Sequence, residues 1–336
     1  MAAAALAAQA CSGSAGVGPE LPTPRESPAT QAVPSPIACG HGAPPAGRRY
    51  GALVFDADRD VLILFGGLRA GSPPDELADT WTWDCRSWTR QPVAGPSGRH
   101  LAAATYDQGR RALLLFGGAG VSGPLGDTWA WNGEAWSQLH PTAAPSGREG
   151  AALAFSPALH QAVLFGGFDG KSYLADTWSW DGSNWTRVDT ATAPDARSRA
   201  GMGFAGGRLV LFGGGDGKSA AFDDTWAFDG ANWTRLQGAG PSRRTEVEVA
   251  ENVNDDSLFL FGGLDETSGV ISSDTWTWRS GAWTRSTVAA PPERIGPMLA
   301  YYPPARVALL FGGGTSAAPS SLDDAWLWDG RAWRPL

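Results

Sequence analysis

The chain has 336 residues, only 18% of them charged, and a formal net charge of −8. An acidic chain without a run of basic residues is a poor ligand for nucleic acid or an anionic membrane surface, so we expect neither partner. No apolar run reaches the ~18 residues that a membrane-spanning helix needs.

The first ten residues are rich in alanine and uncharged, and Cys11 follows them. An apolar segment that ends in small residues and a cysteine resembles the end of a bacterial lipoprotein signal, in which that cysteine carries the lipid. No lysine or arginine precedes the segment, although a signal peptide normally begins with basic residues. Two hypotheses stay open: export to the periplasm or cell surface with a lipid anchor at Cys11, or a disordered leader.

Residues 12–45 are rich in proline, serine and threonine. Such a composition cannot bury enough apolar surface to fold, so we predict a flexible tether. Leader and tether together make up residues 1–45, and the folded domain is predicted to span residues 46–336.

One motif occurs six times between Arg48 and the C-terminus, at a spacing of about 50 residues, which indicates a solenoid or a propeller. An apolar run leads to a glycine pair, and after a variable loop come Asp-x-Trp-x-Trp and a further tryptophan. All 17 tryptophans lie in these units, and only the fourth departs, with Phe228 in place of the middle tryptophan. The glycine pairs are Gly66-Gly67, Gly117-Gly118, Gly166-Gly167, Gly213-Gly214, Gly262-Gly263 and Gly312-Gly313. The aspartates are Asp79, Asp127, Asp176, Asp224, Asp274 and Asp324.

These six units resemble kelch repeats, whose period is about 50 residues. The resemblance covers nearly all of the chain from Arg48 onward, and it is specific because six copies stand in register. Kelch units often have tyrosine where this chain mostly has the middle tryptophan. The resemblance implies an all-β fold, a six-bladed β-propeller with four antiparallel strands per blade, and binding as its usual function.

Within each unit the strands change in side-chain size, which indicates their order in the blade. Runs of alanine and glycine such as Ala102-Ala103-Ala104 fit the crowded axis, and tryptophans fill the widening outer part. In the second unit we predict strands at Leu101–Tyr106, Ala112–Phe116 and Thr128–Trp131, and a fourth from about Ala135. The predicted blades span about 48–97, 98–146, 147–195, 196–242, 243–292 and 293–336, and no strand is expected to be exchanged at ring closure.

An arginine stands near the start of each predicted first strand, and the aspartate of Asp-x-Trp begins each third strand. Both should lie on the face where the glycine-pair loops open. Six like charges around one mouth would repel unless paired, so we predict a ring of Arg–Asp pairs. An arginine-lined funnel for an anionic ligand is the alternative. The candidate ligand-binding residues are Arg48, Arg99, Arg148, Arg199, Arg244 and Arg294.

The fifth unit has an irregular predicted first strand, Thr245–Glu251, which contains Glu246 and Glu248, whereas the other first strands are nearly free of charge. Residues two apart on a strand point the same way, so we expect both carboxylates on one side. Buried carboxylates need partners, for which Arg243, Arg294 or another neighbouring arginine would serve. Glu246 and Glu248 are also the candidate acid/base residues if the protein is an enzyme.

Three cysteines are present, and Cys39 and Cys85 remain if Cys11 is the anchor. A Cys39–Cys85 disulfide would join the segment before the first unit to the rim of blade one; two free thiols are the alternative. The kelch fold also occurs in galactose-oxidase-like enzymes, which bind copper through tyrosine and histidine. The four histidines here are scattered, and we predict no metal and no cofactor.

The resemblance and the composition together favour a non-enzymatic, monomeric binding module that presents its loop face to a protein or a glycan. The alternative is a metal-independent, exported sugar-modifying enzyme, such as an isomerase similar to the kelch sialic-acid epimerases. Glu246, Glu248 and the candidate arginines support that alternative, because such a reaction needs acid/base groups and a cation for the sugar carboxylate.

Overall fold

The computed structural model describes residues 39–40, 42–71, 75–218, 221–316 and 321–336. These residues form six antiparallel sheets of four strands each around a central channel, so the predicted six-bladed β-propeller is confirmed. The described residues contain no helix that is long and apolar enough to cross a membrane. The predicted lipid anchor Cys11 and most of the predicted tether lie outside the described residues.

The four strands of each blade follow one another from the channel to the rim, and the six first strands contact each other around the axis. The first strands are Ala52–Asp56, Ala103–Asp107, Ala152–Ser156, Gly201–Ala205, Glu248–Asn252 and Met298–Tyr302. The second strands are Val61–Phe65, Ala112–Phe116, Gln161–Phe165, Arg208–Phe212, Ser257–Phe261 and Val307–Phe311. The third strands are Thr80–Trp83, Thr128–Trp131, Thr177–Trp180, Thr225–Phe228, Thr275–Arg279 and Ala325–Trp328. The fourth strands are Trp88–Gln91, Trp136–Leu139, Trp185–Val188, Trp233–Leu236, Ala282–Arg285 and Trp333–Pro335.

In the part of the chain that the structure describes, three blades carry an additional two-stranded hairpin in the loop after the glycine pair. The hairpins are Leu68–Arg69 with Asp75–Glu76, Ala119–Gly120 with Gly123–Pro124, and Leu264–Asp265 with Val270–Ile271. They lie on the face where the glycine-pair loops and the connections between blades open. We call this the mouth face, and the face of the first-to-second-strand turns the lower face.

The glycine pairs end the second strands in backbone conformations that favour glycine. The first glycine of each pair has a φ of 64–76° and the second a φ of 89–105°. A Cβ on Gly166 would lie 2.5 Å from the carbonyl oxygen of Arg197 in the next blade. The glycine pair therefore permits neighbouring blades to approach closely at the mouth face.

The strands predicted for the second blade mostly agree with the structure, but its first strand begins at Ala103 and not at Leu101. Leu101 has a φ of 53°, which lies outside the extended region that a strand requires. The predicted second and third strands, Ala112–Phe116 and Thr128–Trp131, have the observed bounds.

The ring closes by packing of blade six on blade one, without an exchanged strand. The segment that leads into blade one packs at this joint, because Cys39 contacts the core cluster shared by blades six and one and forms a disulfide with Cys85. Beside it, the amide of Gly40 donates to the carbonyl of Cys85 at 2.7 Å, and Trp83 Nε1 donates to the carbonyl of Gly40 at 3.0 Å. The boundary predicted near residue 45 thus falls within a segment that already contacts blade one.

Candidate functional site

Each blade holds one buried arginine, which precedes the first strand in the sequence. In the folded blade it contacts both the glycine pair and the aspartate of the Asp-x-Trp motif. In blade three, Arg148 Nη1 donates to Asp176 Oδ1 at 2.5 Å and to the carbonyl of Gly166 at 3.0 Å. Trp178 Nε1 donates to the other oxygen of Asp176 at 2.7 Å. Burial alone would raise the pKa of Asp176, but the hydrogen bonds from Arg148 and Trp178 lower it below the ordinary value. The repeated motif is therefore one hydrogen-bonded unit. The six pairs are Arg48–Asp79, Arg99–Asp127, Arg148–Asp176, Arg197–Asp224, Arg244–Asp274 and Arg294–Asp324.

The fourth pair corrects the predicted ring, because Arg197 and not Arg199 binds Asp224. The turn between the first two strands of blade four has two residues, Gly206 and Gly207, whereas the same turn in blade one has four, residues 57–60. The arginine therefore stands 15 residues before Phe212 instead of 17 before the equivalent phenylalanine.

Five of the six candidate ligand-binding residues have structural roles. Arg48, Arg99, Arg148, Arg244 and Arg294 are 0–2% exposed, and their guanidinium groups contact Asp and backbone oxygens. Their arrangement is the predicted ring of Arg–Asp pairs, and it gives no arginine-lined funnel. Only Arg199 remains at the channel opening.

Two residues after each paired arginine, the chain turns into the channel with a positive φ. These six residues are Tyr50, Leu101, Gly150, Arg199, Glu246 and Gly296, with φ values of 53–61°. Backbone hydrogen bonds join consecutive members from Gly296 through Tyr50, Leu101 and Gly150 to Arg199: the amide of Leu101 donates to the carbonyl of Tyr50 at 2.9 Å, and that of Arg199 to the carbonyl of Gly150 at 2.7 Å. Together they form the rim of the channel on the mouth face.

Four polar side chains meet at this rim, and we call them the mouth cluster: Tyr50, Glu149, Arg199 and Glu246. Arg199 Nη1 donates to Glu246 Oε1 at 3.1 Å, and Tyr50 Oη donates to Glu246 Oε2 at 2.9 Å. Arg199 Nη2 lies 3.8 Å from Glu149 Oε1. Burial and the neighbouring Glu246 carboxylate raise the pKa of Tyr50, so its hydroxyl stays protonated and donates. The predicted arginine partner of Glu246 is thus Arg199.

Glu248 lies deeper in the channel, in a cavity of about 150 Å³ that opens at the mouth cluster. Glu246 has a φ of 58° and precedes the strand that begins at Glu248, so the two carboxylates do not share one strand face as predicted. Burial raises the pKa of Glu248 to about 8. A carboxyl group with this pKa can give or accept a proton near neutral pH.

An apolar girdle closes the lower end of this cavity. The girdle consists of one side chain from each blade, five positions after the paired arginine: Leu53, Ala104, Leu153, Met202, Val249 and Leu299. These side chains line both the mouth cavity and a second cavity below, so the girdle divides the channel into two chambers.

The shared motif does not predict Tyr50 and Glu149, because they stand at positions that differ from one unit to the next. A comparison of the positions one and two after each paired arginine would have found them, because those positions vary between units. Within the described ranges, no group of three or more His, Cys, Asp and Glu side chains could hold a metal ion.

Comparison with known families agrees with the repeat structure. The family model described as the KLHDC2/KLHL20/DRC7 Kelch-repeats domain matches residues 35–181 and residues 132–277. The two overlapping matches together cover residues 35–277, which is more than half of the chain. No curated protein matches the chain in sequence.

Proposed function

Since the chain belongs to the kelch-repeat family, we propose that it is a protein-binding module whose partner contacts the mouth face around the mouth cluster. A kelch propeller by itself suggests a protein-interaction module, and the fold alone does not specify a ligand. The observation that favours the mouth face is a cavity of about 150 Å³ whose rim carries charged side chains from different blades.

The backbone of the rim supports this proposal. Gly150 and Gly296 take the positive φ without strain, whereas Arg199 and Glu246 take it at a steric cost of about 1–2 kcal/mol each. The fold accepts glycine at this position, so its geometry does not require a side chain there. Strained residues of this kind concentrate at binding and catalytic sites.

A double variant, Arg199→Gly with Glu246→Gly, tests the proposal. Both residues of the ion pair are removed together, and the backbone strain that glycine relieves offsets the loss of the acceptor for Tyr50 Oη, so we expect the variant to remain folded. Peptides selected on the wild-type protein from a random display library should lose binding to this variant. The matched control is Arg306→Gly, which changes a left-handed arginine on the lower face.

Selected peptides that bind the double variant as tightly as the wild type would overturn the mouth-face proposal. A glycan partner is the other ligand class, and an array of glycans probed with the same three proteins distinguishes it. Glycan binding that is lost only in the double variant would support the mouth face as the binding surface and would show that the partner is a glycan and not a protein.

One observation favours a second candidate function, an isomerase for an acidic sugar. Glu248 and Arg199 line the same cavity, so a carboxyl with a pKa of about 8 and a cation stand near one potential substrate. In that case Glu248→Gln or Glu246→Gln should reduce turnover of a sialic acid by about 10²–10⁴-fold, because each would remove an acid/base group. Absence of turnover by the purified wild-type protein would exclude this candidate.

We also propose that the protein is exported, with Cys11 as its lipid anchor. The disulfide between Cys39 and Cys85 supports export, because disulfides persist in oxidising compartments. Mass spectrometry of the native protein should find a lipid on Cys11. An unmodified Cys11 in a protein recovered from the soluble cytoplasmic fraction would contradict both parts of the proposal.

A further inference from the structure

The lower chamber of the channel is a separate cavity of about 240 Å³. It lies below the girdle and opens on the lower face, away from the mouth cluster, where Val253 at its rim is 61% exposed. A cavity of about 150 Å³ with apolar walls takes a molecule the size of benzene. The lower chamber therefore has room for an aromatic ring and a short chain.

The walls of this chamber follow the propeller repeat, with one exception. Seven residues after the paired arginine, five blades have an aromatic residue: Phe55, Tyr106, Phe155, Phe204 and Tyr301. Blade five has Glu251 at the same position, and Glu251 lines the chamber together with four of these rings. Burial of a carboxyl group at this position loses solvation free energy. A sixth aromatic side chain would not lose it.

Blade four is shaped to accommodate this carboxyl group. A Cβ on Gly203 would lie 2.8 Å from Leu258 Cδ2 and 3.0 Å from Glu251 Cγ, so glycine leaves the space that these two side chains of blade five occupy. Glu251 Oε1 accepts a hydrogen bond from the amide of Phe204 at 2.8 Å. No side chain or amide of the described residues donates to the second oxygen, Oε2.

We propose that the lower chamber binds a small molecule that joins an aromatic or aliphatic body to a primary ammonium group. The ammonium donates to Glu251 Oε2, and the body packs against Phe55, Tyr106 and Tyr301. Two features suit such a ligand: the aromatic residues in the chamber wall offer apolar contact, and the carboxylate of Glu251 offers the charged acceptor. Burial raises the pKa of Glu251 to about 7, and an ammonium ion beside it would favour the ionised form.

The experiment uses 2-phenylethylamine as the probe and 2-phenylethanol as its uncharged analogue, with binding measured by calorimetry on the whole protein. We expect saturable binding of the amine at pH 8 and at least about tenfold weaker binding of the alcohol. Glu251→Gln should weaken binding of the amine by about tenfold or more. The control Glu134→Gln removes an exposed glutamate from an outer turn and should leave the affinity unchanged.

The wild-type protein provides a second measurement if Glu251→Gln does not fold. The ammonium stays protonated between pH 6 and pH 8, whereas Glu251 must ionise, so the affinity should be about tenfold higher at pH 8. The other titratable groups of the chamber are Tyr106 and Tyr301, and burial raises both pKa values, so neither ionises in this range. Failure to bind the amine, equal affinity for the alcohol, or binding independent of pH would overturn the proposal.

Discussion

Glu248 illustrates how one residue of the channel sets a pH dependence. Burial raises the pKa of its carboxyl group to about 8, against ~4.3 in an unfolded chain. The folded protein therefore binds more protons than the unfolded chain between these two values. As a result, Glu248 makes the free energy of unfolding fall as the pH rises from about 4 to about 8.

We predict that Glu248→Gln stabilises the protein at pH 8 but not at pH 4. Glutamine carries no charge at either pH, so the gain at pH 8 should be about 1–3 kcal/mol, in the range measured for buried polar groups without partners. Urea unfolding at both pH values measures it, with Glu134→Gln as the exposed control. An equal effect of Glu248→Gln at both pH values would show that the carboxyl group is not desolvated in the channel.

At the scale of the element, the Arg–Asp pair connects the parts of each blade. The guanidinium of Arg148 contacts the third strand through Asp176 and the end of the second strand through the carbonyl of Gly166. An exposed pair would contribute only about 0–1 kcal/mol, but Arg148 is 2% exposed. Removal of one partner from a buried pair leaves the other without compensation.

Arg148→Ala should therefore lower the free energy of unfolding by about 3–5 kcal/mol. The free energy of unfolding of Arg148→Lys should lie between those of the wild type and Arg148→Ala, because an ammonium cannot make the two parallel hydrogen bonds of the guanidinium. Denaturant unfolding measures both, and Arg187→Ala on an exposed part of the same blade should change stability by less than about 0.5 kcal/mol. A loss below about 1 kcal/mol for Arg148→Ala would contradict the structural role of the pair.

At the scale of the whole molecule, the joint between blades six and one differs from the other five. Each of those five has a tryptophan Nε1 that donates to a threonine hydroxyl of the preceding blade, as Trp185 does to Thr128 at 3.1 Å. Blade six has Ala325 in place of the threonine, and Trp88 Nε1 is buried without a partner among the described residues. The Cys39–Cys85 disulfide lies at this same joint.

We predict that Ala325→Thr stabilises the ring, because its hydroxyl can accept the hydrogen bond from Trp88 that the other joints already have. The gain should be about 1 kcal/mol, the net value of one hydrogen bond. The reciprocal variant, Thr128→Ala, should lower stability by about 1–3 kcal/mol, because it leaves Trp185 Nε1 buried and unpaired. Thermal and denaturant unfolding measure both, and an unchanged or lower stability of Ala325→Thr would show that the joint cannot accept the larger side chain.

The sequence by itself determined the architecture of this protein. A motif repeated six times fixes the number of blades, and the gradient from alanine and glycine to tryptophan fixes the order of the strands, because blades widen from axis to rim. Those properties are local and periodic, so they can be read from residue types and spacing. The Arg–Asp pairs also followed from the repeat, apart from the fourth, where a turn shortened by two residues moved the paired arginine to Arg197.

Only the tertiary structure decided which residues meet in the channel. Tyr50 and Glu246 are 196 residues apart and belong to blades one and five, yet the ring brings their side chains within hydrogen-bond distance. The division of the channel into two chambers also depends on six side chains from six blades. Such contacts follow from closure of the ring and the direction of each side chain at the axis, and neither property is encoded in the spacing of a repeat.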